Sequence, residues 1–357
     1  MRGTIEKKRD HTYDWVRIIA IFFVVIGHSA YLSMSSTSGG VDYQLPSDIN
    51  PIYYTFIFDI FRKAASWVYG FHMPLFFMLS GAVFSLRPIN KFEEIFEAKI
   101  KRLVIPFFVY GVCMMLPLKW IAGFYDSFTI RQAFSNFLTG NGDTGHLWFL
   151  QALFWCFVVL AVAIKVSSHY ELGKYGPLFI SLVIYLLVPL LSVDFWAFKL
   201  GMQNIMFFAL GYYFGLFRME KRYRLEIKVL LITLCVIVEI IHSKYWILNV
   251  FFMNIVGALL TFLIADICGR VFRGFDSTKV FDILLRNSFS IYLIHDPINY
   301  IVLKIFFSYG FLKYKWGCVL YLLSRTILLI CLCVLIGEII RLIENVLKTY
   351  TKKIIKN

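Results

Sequence analysis

An all-α, polytopic membrane bundle of about ten transmembrane helices is the fold class this sequence predicts. Three observations predict it. Apolar residues make up 59% of the 357-residue chain and charged residues only 16%, with a mean hydropathy of +0.72. Several apolar runs reach the roughly 20 residues a helix needs to cross a bilayer. Lys and Arg then alternate in density from one connection to the next, as membrane orientation requires.

The expected spans are 15–34, 67–86, 103–122, 147–166, 176–193, 201–217, 229–243, 250–268, 287–307 and 316–340. They form one membrane domain, 15–340, between an N-terminal segment, 1–14, and a basic tail, 341–357. The first run is not expected to be a cleaved signal, since it is long, carries Arg17 and His28, and has no clear small-residue cleavage site. Lys and Arg are roughly threefold denser in the N-terminus, 87–102, 165–175, 218–228, 269–286 and the tail than in 35–66, 118–146, 194–200, 244–249 and 308–315. That excess places both termini in the cytoplasm, and an even span count agrees. The net charge of +14 therefore follows the bilayer, and no nucleic-acid partner is expected.

Two connections are amphipathic. Residues 52–66 combine Tyr53, Tyr54, Phe56, Phe58 and Phe61 with Asp59, Arg62 and Lys63, the pattern of an outer interfacial helix. Residues 90–102 combine Phe92, Ile95, Phe96 and Ile100 with Lys91, Lys99, Lys101 and Arg102, suited to anionic lipid or to an anionic substrate. The seven cysteines lie mostly inside apolar runs without a Cys-x-x-Cys pair, so neither a disulfide framework nor a metal site is expected.

The first span carries the main functional candidates. Arg17 and His28 are eleven residues apart, which returns a helix to within roughly 20° of the same direction and separates them by about 16 Å. A cation and a titratable ring on one stripe of a membrane helix are costly to keep. Asp14, one turn before Arg17, can hold that arginine as an ion pair; the bland reading of Arg17 is a snorkelling anchor. In this topology His28, His72 and His146 fall at similar outer depth, with His295 deeper in its span. Histidine suits general-base work near neutral pH. Against that, His146 can be an ordinary interfacial residue, His72 can bond a carbonyl freed by Pro74, and His295 can do the same beside Pro297. No His-x-x-x-His or Glu-x-x-His spacing favours a metal. Asp266, Glu239 and Arg325 are further charges at membrane depth whose partners one sequence does not name. Ser80-Gly81 reads as a close helix-packing site.

Together these motifs resemble the acyltransferase 3 family of bacterial membrane acyltransferases. The resemblance rests on Asp14-x-x-Arg17 with Arg17-x10-His28, Phe71-His72-Met73-Pro74-Leu75-Phe76-Phe77 ending in Ser80-Gly81, Lys101-Arg102-Leu103 before Pro106, His146-Leu147-Trp148-Phe149-Leu150, and Ser290-Ile291-Tyr292-Leu293-Ile294-His295. It implies an inner-membrane, multi-pass O-acyltransferase that takes acyl-coenzyme A, usually acetyl-CoA, from the cytoplasm to a hydroxyl of an extracytoplasmic polysaccharide or glycolipid. His28, Arg17, Asp14 and His146 are the catalytic candidates it implies, and Arg17, Lys101 and Arg102 the donor-binding ones. Many members carry two or more arginines after the second span, where this chain has Lys99, Lys101 and Arg102; lysine keeps the charge and loses the bidentate fork. A glycan transporter or flippase, or a non-catalytic partner of polysaccharide assembly, would show similar spans and buried charges. Acceptor specificity is expected in 35–66 and 123–146, with Tyr43, Tyr53, Tyr54, Tyr125, Asn136, Asn141 and Asp143, unless these segments merely cap the bundle.

Overall fold

The computed structural model describes residues 11–356 apart from 46, 50–57, 87–90, 141, 193, 218–224, 246–249 and 273. Thirteen α-helices carry the described chain: α1 His11–Ser29, α2 Phe61–Ser85, α3 Phe92–Ile121, α4 Thr129–Thr139, α5 Trp148–His169, α6 Gly176–Leu187, α7 Phe198–Gln203, α8 Ile205–Leu216, α9 Leu225–Tyr245, α10 Val250–Val271, α11 Lys279–Ser308, α12 Lys315–Arg325 and α13 Ile327–Lys356. Helix occurs at all ten expected positions. Among the described residues, six helical segments are long and apolar enough to cross a membrane: His11–Ser29, Phe58–Ser85, Phe92–Ile121, Gly145–His169, Val250–Val271 and Lys315–Thr349. The protein is a multi-pass helical membrane protein.

Several boundaries differ from expectation for physical reasons. The first span ends at Ser29, because Ser33–Ser35 (β1) pairs antiparallel with Gly40–Asp42 (β2), a small hairpin the apolar pattern conceals. Phe58, Phe61, Arg62 and Lys63 are not a separate interfacial helix. Helical turns run without a break from Phe58 into α2, since no helix breaker intervenes; Tyr53, Tyr54 and Phe56 lie outside the described residues. Residues 92–102 likewise form the first turns of α3, which carries π turns at Ile100–Val104 and Gly111–Met115; residue 90 lies outside the described residues. The last span is interrupted at Thr326, where φ is −120° and ψ −92°, and α13 then continues through the expected tail.

Close packing of α2 on α8 supplies the rigid frame. A Cβ on Gly81 would lie 2.0 Å from the Phe208 carbonyl oxygen, and one on Gly211 would lie 2.0 Å from that of Met78. Gly211 and Gly215 form a Gly-x-x-x-Gly face that lets the two backbones touch. Ser80-Gly81 is thus the helix-packing site expected. Gly211→Val is expected to lower stability by about 3 kcal/mol, since backbone cannot yield as a side chain would. Thermal unfolding of detergent-solubilised protein checks this, with Gly70→Ala, which meets nothing within 4 Å, as the control. Elsewhere Asp266 of α10 ties three helices together, accepting from Lys228 of α9 at 2.5 Å, from Arg270 at 2.8 Å and from Thr12 of α1 at 3.4 Å. Glu239 accepts from the indole of Trp67 at 2.9 Å.

Candidate active site

Helix α1 packs against α2, α10 and α11. The docking brings four histidines from four segments into one cluster. The His28 ring centroid lies 4.9 Å from that of His295 and 6.4 Å from that of His72, and His146 lies 5.3 Å from His295. The expectation that His295 sits deeper than the others is therefore corrected. Helix α11 has 30 residues against 19 in α1, so its midpoint packs beside the end of the shorter helix.

Asp296 is the hub of the cluster, and single-sequence reading passed over it. Its Oδ1 accepts from His28 Nδ1 at 3.0 Å and from the Tyr31 hydroxyl. Its Oδ2 lies 3.2 Å from His146 Nδ1 and 3.9 Å from Lys119 Nζ. Lys119 is 2% exposed, not the loop cation its place in 118–146 suggested. It also sits over the rings of Phe124 and Tyr300, which favour a cation on their faces. A buried carboxylate needs this much compensation to stay ionised.

Two prolines shape the local backbone. Pro297 has no N–H, so the carbonyl of Leu293, four residues earlier, has no helical partner. His146 Nε2 fills that gap at 3.1 Å. The Tyr292 hydroxyl donates in return to the His146 carbonyl. His295 Nδ1 faces the carbonyls of Ile291 and Tyr292 at 3.0 and 2.8 Å. His72 does bond a carbonyl, but that of Tyr69, at 3.1 Å; the carbonyl Pro74 frees is Gly70's.

A second network holds the end of α1. Arg325, 1% exposed, donates through Nε to Asn299 Oδ1 at 2.7 Å, through Nη1 to the Tyr321 hydroxyl, and through Nη2 to the carbonyls of Tyr31 at 2.9 Å and His28 at 3.2 Å. Asn299 Nδ2 donates to the same His28 carbonyl at 2.6 Å. The last carbonyls of a helix have no intrahelical partner and favour a cation. Arg325 meets both needs at the helix end that carries His28.

Two cavities flank the histidines. The first, of about 590 Å³, is lined by Arg17 and Ile21 of α1, by Phe76, Leu79, Ser80, Val83 and Phe84 of α2, by Lys99, Lys101 and Arg102 of α3, and inwardly by Phe149 and Tyr292. The second, of about 420 Å³, is lined by Gly27, Ala30, Tyr31 and Met34 and by Arg62, Ala65, Ser66 and Tyr69. Along both α1 and α2 the two sets occupy opposite ends. His72 falls between them on α2. His28 lines neither, yet its side chain is 11% exposed while that of His146 is 2% exposed. His72 and His295 are 1% and 0% exposed.

The expected site residues thus divide. His28 and His146 converge on Asp296. Arg17, Lys101 and Arg102 converge on the first cavity. Lys101 bonds Glu97 at 2.5 Å, whereas Arg102 makes no hydrogen bond or ion pair with a described residue. Asp14 is buried in the first turn of α1. In the connections expected to set specificity, Asp143 is used internally, accepting from Ser36 at 2.5 Å, Ser38 at 2.7 Å and Asn136 at 3.0 Å. Burial opposes its charge, but these donors hold its carboxyl below the ordinary value. Asn136 and Asp143 therefore latch the hairpin to α4; Asn141 lies outside the described residues. Asp296, Lys119, Tyr31 and Asn299 were the residues missed; Arg325 was visible as a charge at membrane depth, without its partners. An intramembrane Asp beside His295 and Pro297 was the one signal that could have raised Asp296. Among the described residues no group of three or more His, Cys, Asp or Glu is arranged to hold a metal ion.

A family model described as an acyltransferase domain matches residues 10–338. No match was found among curated proteins or solved structures. The family match covers nearly the whole chain and includes every motif quoted above, from Asp14 to His295. The chain belongs to the acyltransferase 3 family and is a membrane acyltransferase.

Proposed function

We propose that the protein transfers an acyl group, acetyl in the first instance, from cytoplasmic acyl-CoA to a hydroxyl of an extracytoplasmic polysaccharide or glycolipid. One observation carries this reading: an Asp-oriented histidine, its side chain 11% exposed, neighbours Gly27, Tyr31 and Tyr69 of one cavity, while the opposite parts of α1 and α2 line a second cavity together with Lys99, Lys101 and Arg102. His28 donates Nδ1–H to Asp296, which leaves the Nε2 lone pair as the base.

The proposed chemistry follows from that pair. Arg102, Arg17, Lys99 and Lys101 hold the phosphates of coenzyme A at the mouth of the first cavity. The pantetheine arm lies among Ile21, Leu79, Val83 and Phe76. His28 Nε2 takes the proton of the acceptor hydroxyl as its oxygen attacks the thioester carbonyl. The C–S bond breaks, the ester forms, and the coenzyme A thiolate recovers the proton from the imidazolium. Transient acylation of His28 is the alternative course. It predicts an acyl-imidazole that accumulates when acceptor is withheld.

Purified protein in sealed proteoliposomes, given radiolabelled acetyl-CoA and envelope glycan, tests the reading. Label on glycan supports it; glycan crossing the bilayer without label overturns it in favour of transport. Arg102→Ala is expected to raise the KM for acetyl-CoA about tenfold, the loss of one charge-assisted contact. Lys101→Ala is expected to do less, because Glu97 already occupies that ammonium. Equal KM values for native and Arg102→Ala protein would remove the phosphate assignment.

A further inference from the structure

The second cavity has a chemically specific wall. Arg62, Ser66 and Tyr69 recur on α2 at three- and four-residue intervals, so they share one face, and that face continues to His72. Arg62 is exposed and makes no hydrogen bond or ion pair with a described residue. Nearer the histidines the wall is aromatic. The Tyr69 ring lies 4.7 Å from that of His72 and 5.8 Å from that of His28, and the Tyr31 ring lies 5.7 Å from His28. Gly27 makes room for this arrangement, since a Cβ there would come within 3.1 Å of the Tyr69 ring.

Charge decides what such a cavity prefers. Among the described residues Arg62 is the one Lys, Arg, Asp or Glu in its lining. Asp296, the carboxylate behind the wall, is already engaged by His28, His146, Tyr31 and Lys119. A guanidinium at a cavity rim with no such partner gains most from a carboxylate or phosphate, which it holds through two parallel N–H bonds. Arg62 precedes His72 by ten residues, about 15 Å along the helix. That separation suits one or two sugar units between an anionic group and the hydroxyl that reacts.

We propose that this cavity takes a saccharide whose reactive hydroxyl meets His28, whose ring packs against Tyr31 and Tyr69, and whose anionic group meets Arg62. The proposal rests on the reading of His28 as the base of acyl transfer. It adds a requirement that reading does not contain: an acidic acceptor. The anion is either a uronic-acid carboxylate or the phosphate of a phosphorylated saccharide or glycolipid.

Three disaccharide probes with one common backbone test it, one neutral, one ending in a uronic acid and one carrying a phosphate monoester. Binding to the full-length protein in nanodiscs is measured without donor. At least one charged probe is expected to bind tenfold or more tightly than the neutral probe, and the better of the two identifies the source of the anion. Arg62→Gln is expected to bring that probe down to the neutral one's affinity, and Arg62→Lys to restore part of the difference. Equal binding of all three probes by native protein overturns the proposal, as does a preference that survives in Arg62→Gln with native thermal stability. Addition of labelled acetyl-CoA separates the two readings. A charged probe bound through Arg62 but never acetylated refutes acyl transfer to this site while leaving the anion site standing.

Discussion

Asp296→Asn is expected to lower the transfer rate by about 10³–10⁴-fold, close to the loss in His28→Ala, by analogy with removal of the orienting carboxylate in other His–Asp pairs. The reason is proton bookkeeping at one side chain. Asp296 offers oxygens to His28, His146 and Tyr31 at once. Asparagine replaces one oxygen with an NH2 group, so at least one imidazole must flip its tautomer or lose its bond. If His28 is the one that changes, Nε2 carries the proton and no lone pair faces the hydroxyl. The same substitution leaves Lys119 buried without its counter-ion, and breaking a buried pair typically costs about 3–5 kcal/mol. Loss of rate and loss of stability are therefore separable. The double variant Asp296→Asn with Lys119→Met is expected to regain thermal stability and to remain inactive. Label transfer and thermal unfolding on the same preparations check this. Activity returning together with stability would show that Asp296 serves only to neutralise Lys119.

Arg325→Met is expected to reduce kcat about 100-fold and to leave the KM for acetyl-CoA near its native value. Among the described residues, none of the hydrogen-bond or ring partners of the Arg325 side chain lines the first cavity. Its guanidinium holds the carbonyls of His28 and Tyr31 and the Asn299 side chain. Without it the end of α1 loses the clamp that fixes where the His28 ring points. Misplacement of a reacting group by about 1 Å is enough for a loss of this size. The effect on stability is smaller than the number of lost bonds suggests. Each hydrogen bond to a charged group contributes about 1.5–3 kcal/mol, but removing a guanidinium from the bundle interior also removes a desolvation penalty of several kcal/mol. A net change of about 1–3 kcal/mol is the expected balance. Arg325→Lys keeps the charge and lacks the planar fork, so it is expected to recover only part of kcat. Steady-state kinetics with acetyl-CoA as the varied substrate distinguish the outcomes. A raised KM with native kcat would make Arg325 part of the donor site; native values of both would remove it from the mechanism.

Much of the fold was legible because the membrane imposes simple rules. Apolar runs of sufficient length announced helices at every expected position. Gly81 was legible as a contact because small residues are what allow membrane helices to approach. The ends of helices were less legible. Apolar Leu32 and Met34 read as a continuation of the first span, though they lie on the hairpin side of Ser29. The amphipathic start of α2 read as a separate interfacial helix, and that of α3 as a connection, because hydropathy falls there while helical hydrogen bonding continues. Lys119 read as a loop charge for the same reason, since a window average does not tell that a lysine folds back under a carboxylate.

The site divides along a similar line. Arg17, His28, His146, Lys101 and Arg102 were visible as costly groups in ordered motifs. Their division into a donor-side set and a histidine cluster was not. That division depends on helices set side by side at particular axial offsets, and hydrophobicity does not encode offset. Asp296 and Arg325 lie 268 and 297 residues from His28 in sequence, yet bond its ring and its carbonyl. What this sequence determined by itself is that the chain is a helical membrane protein, which polar groups it keeps there at a cost, and which family's motifs it carries. Only the tertiary structure decided which of those groups meet, because a buried charge is satisfied by neighbours that packing delivers and not by neighbours in the chain.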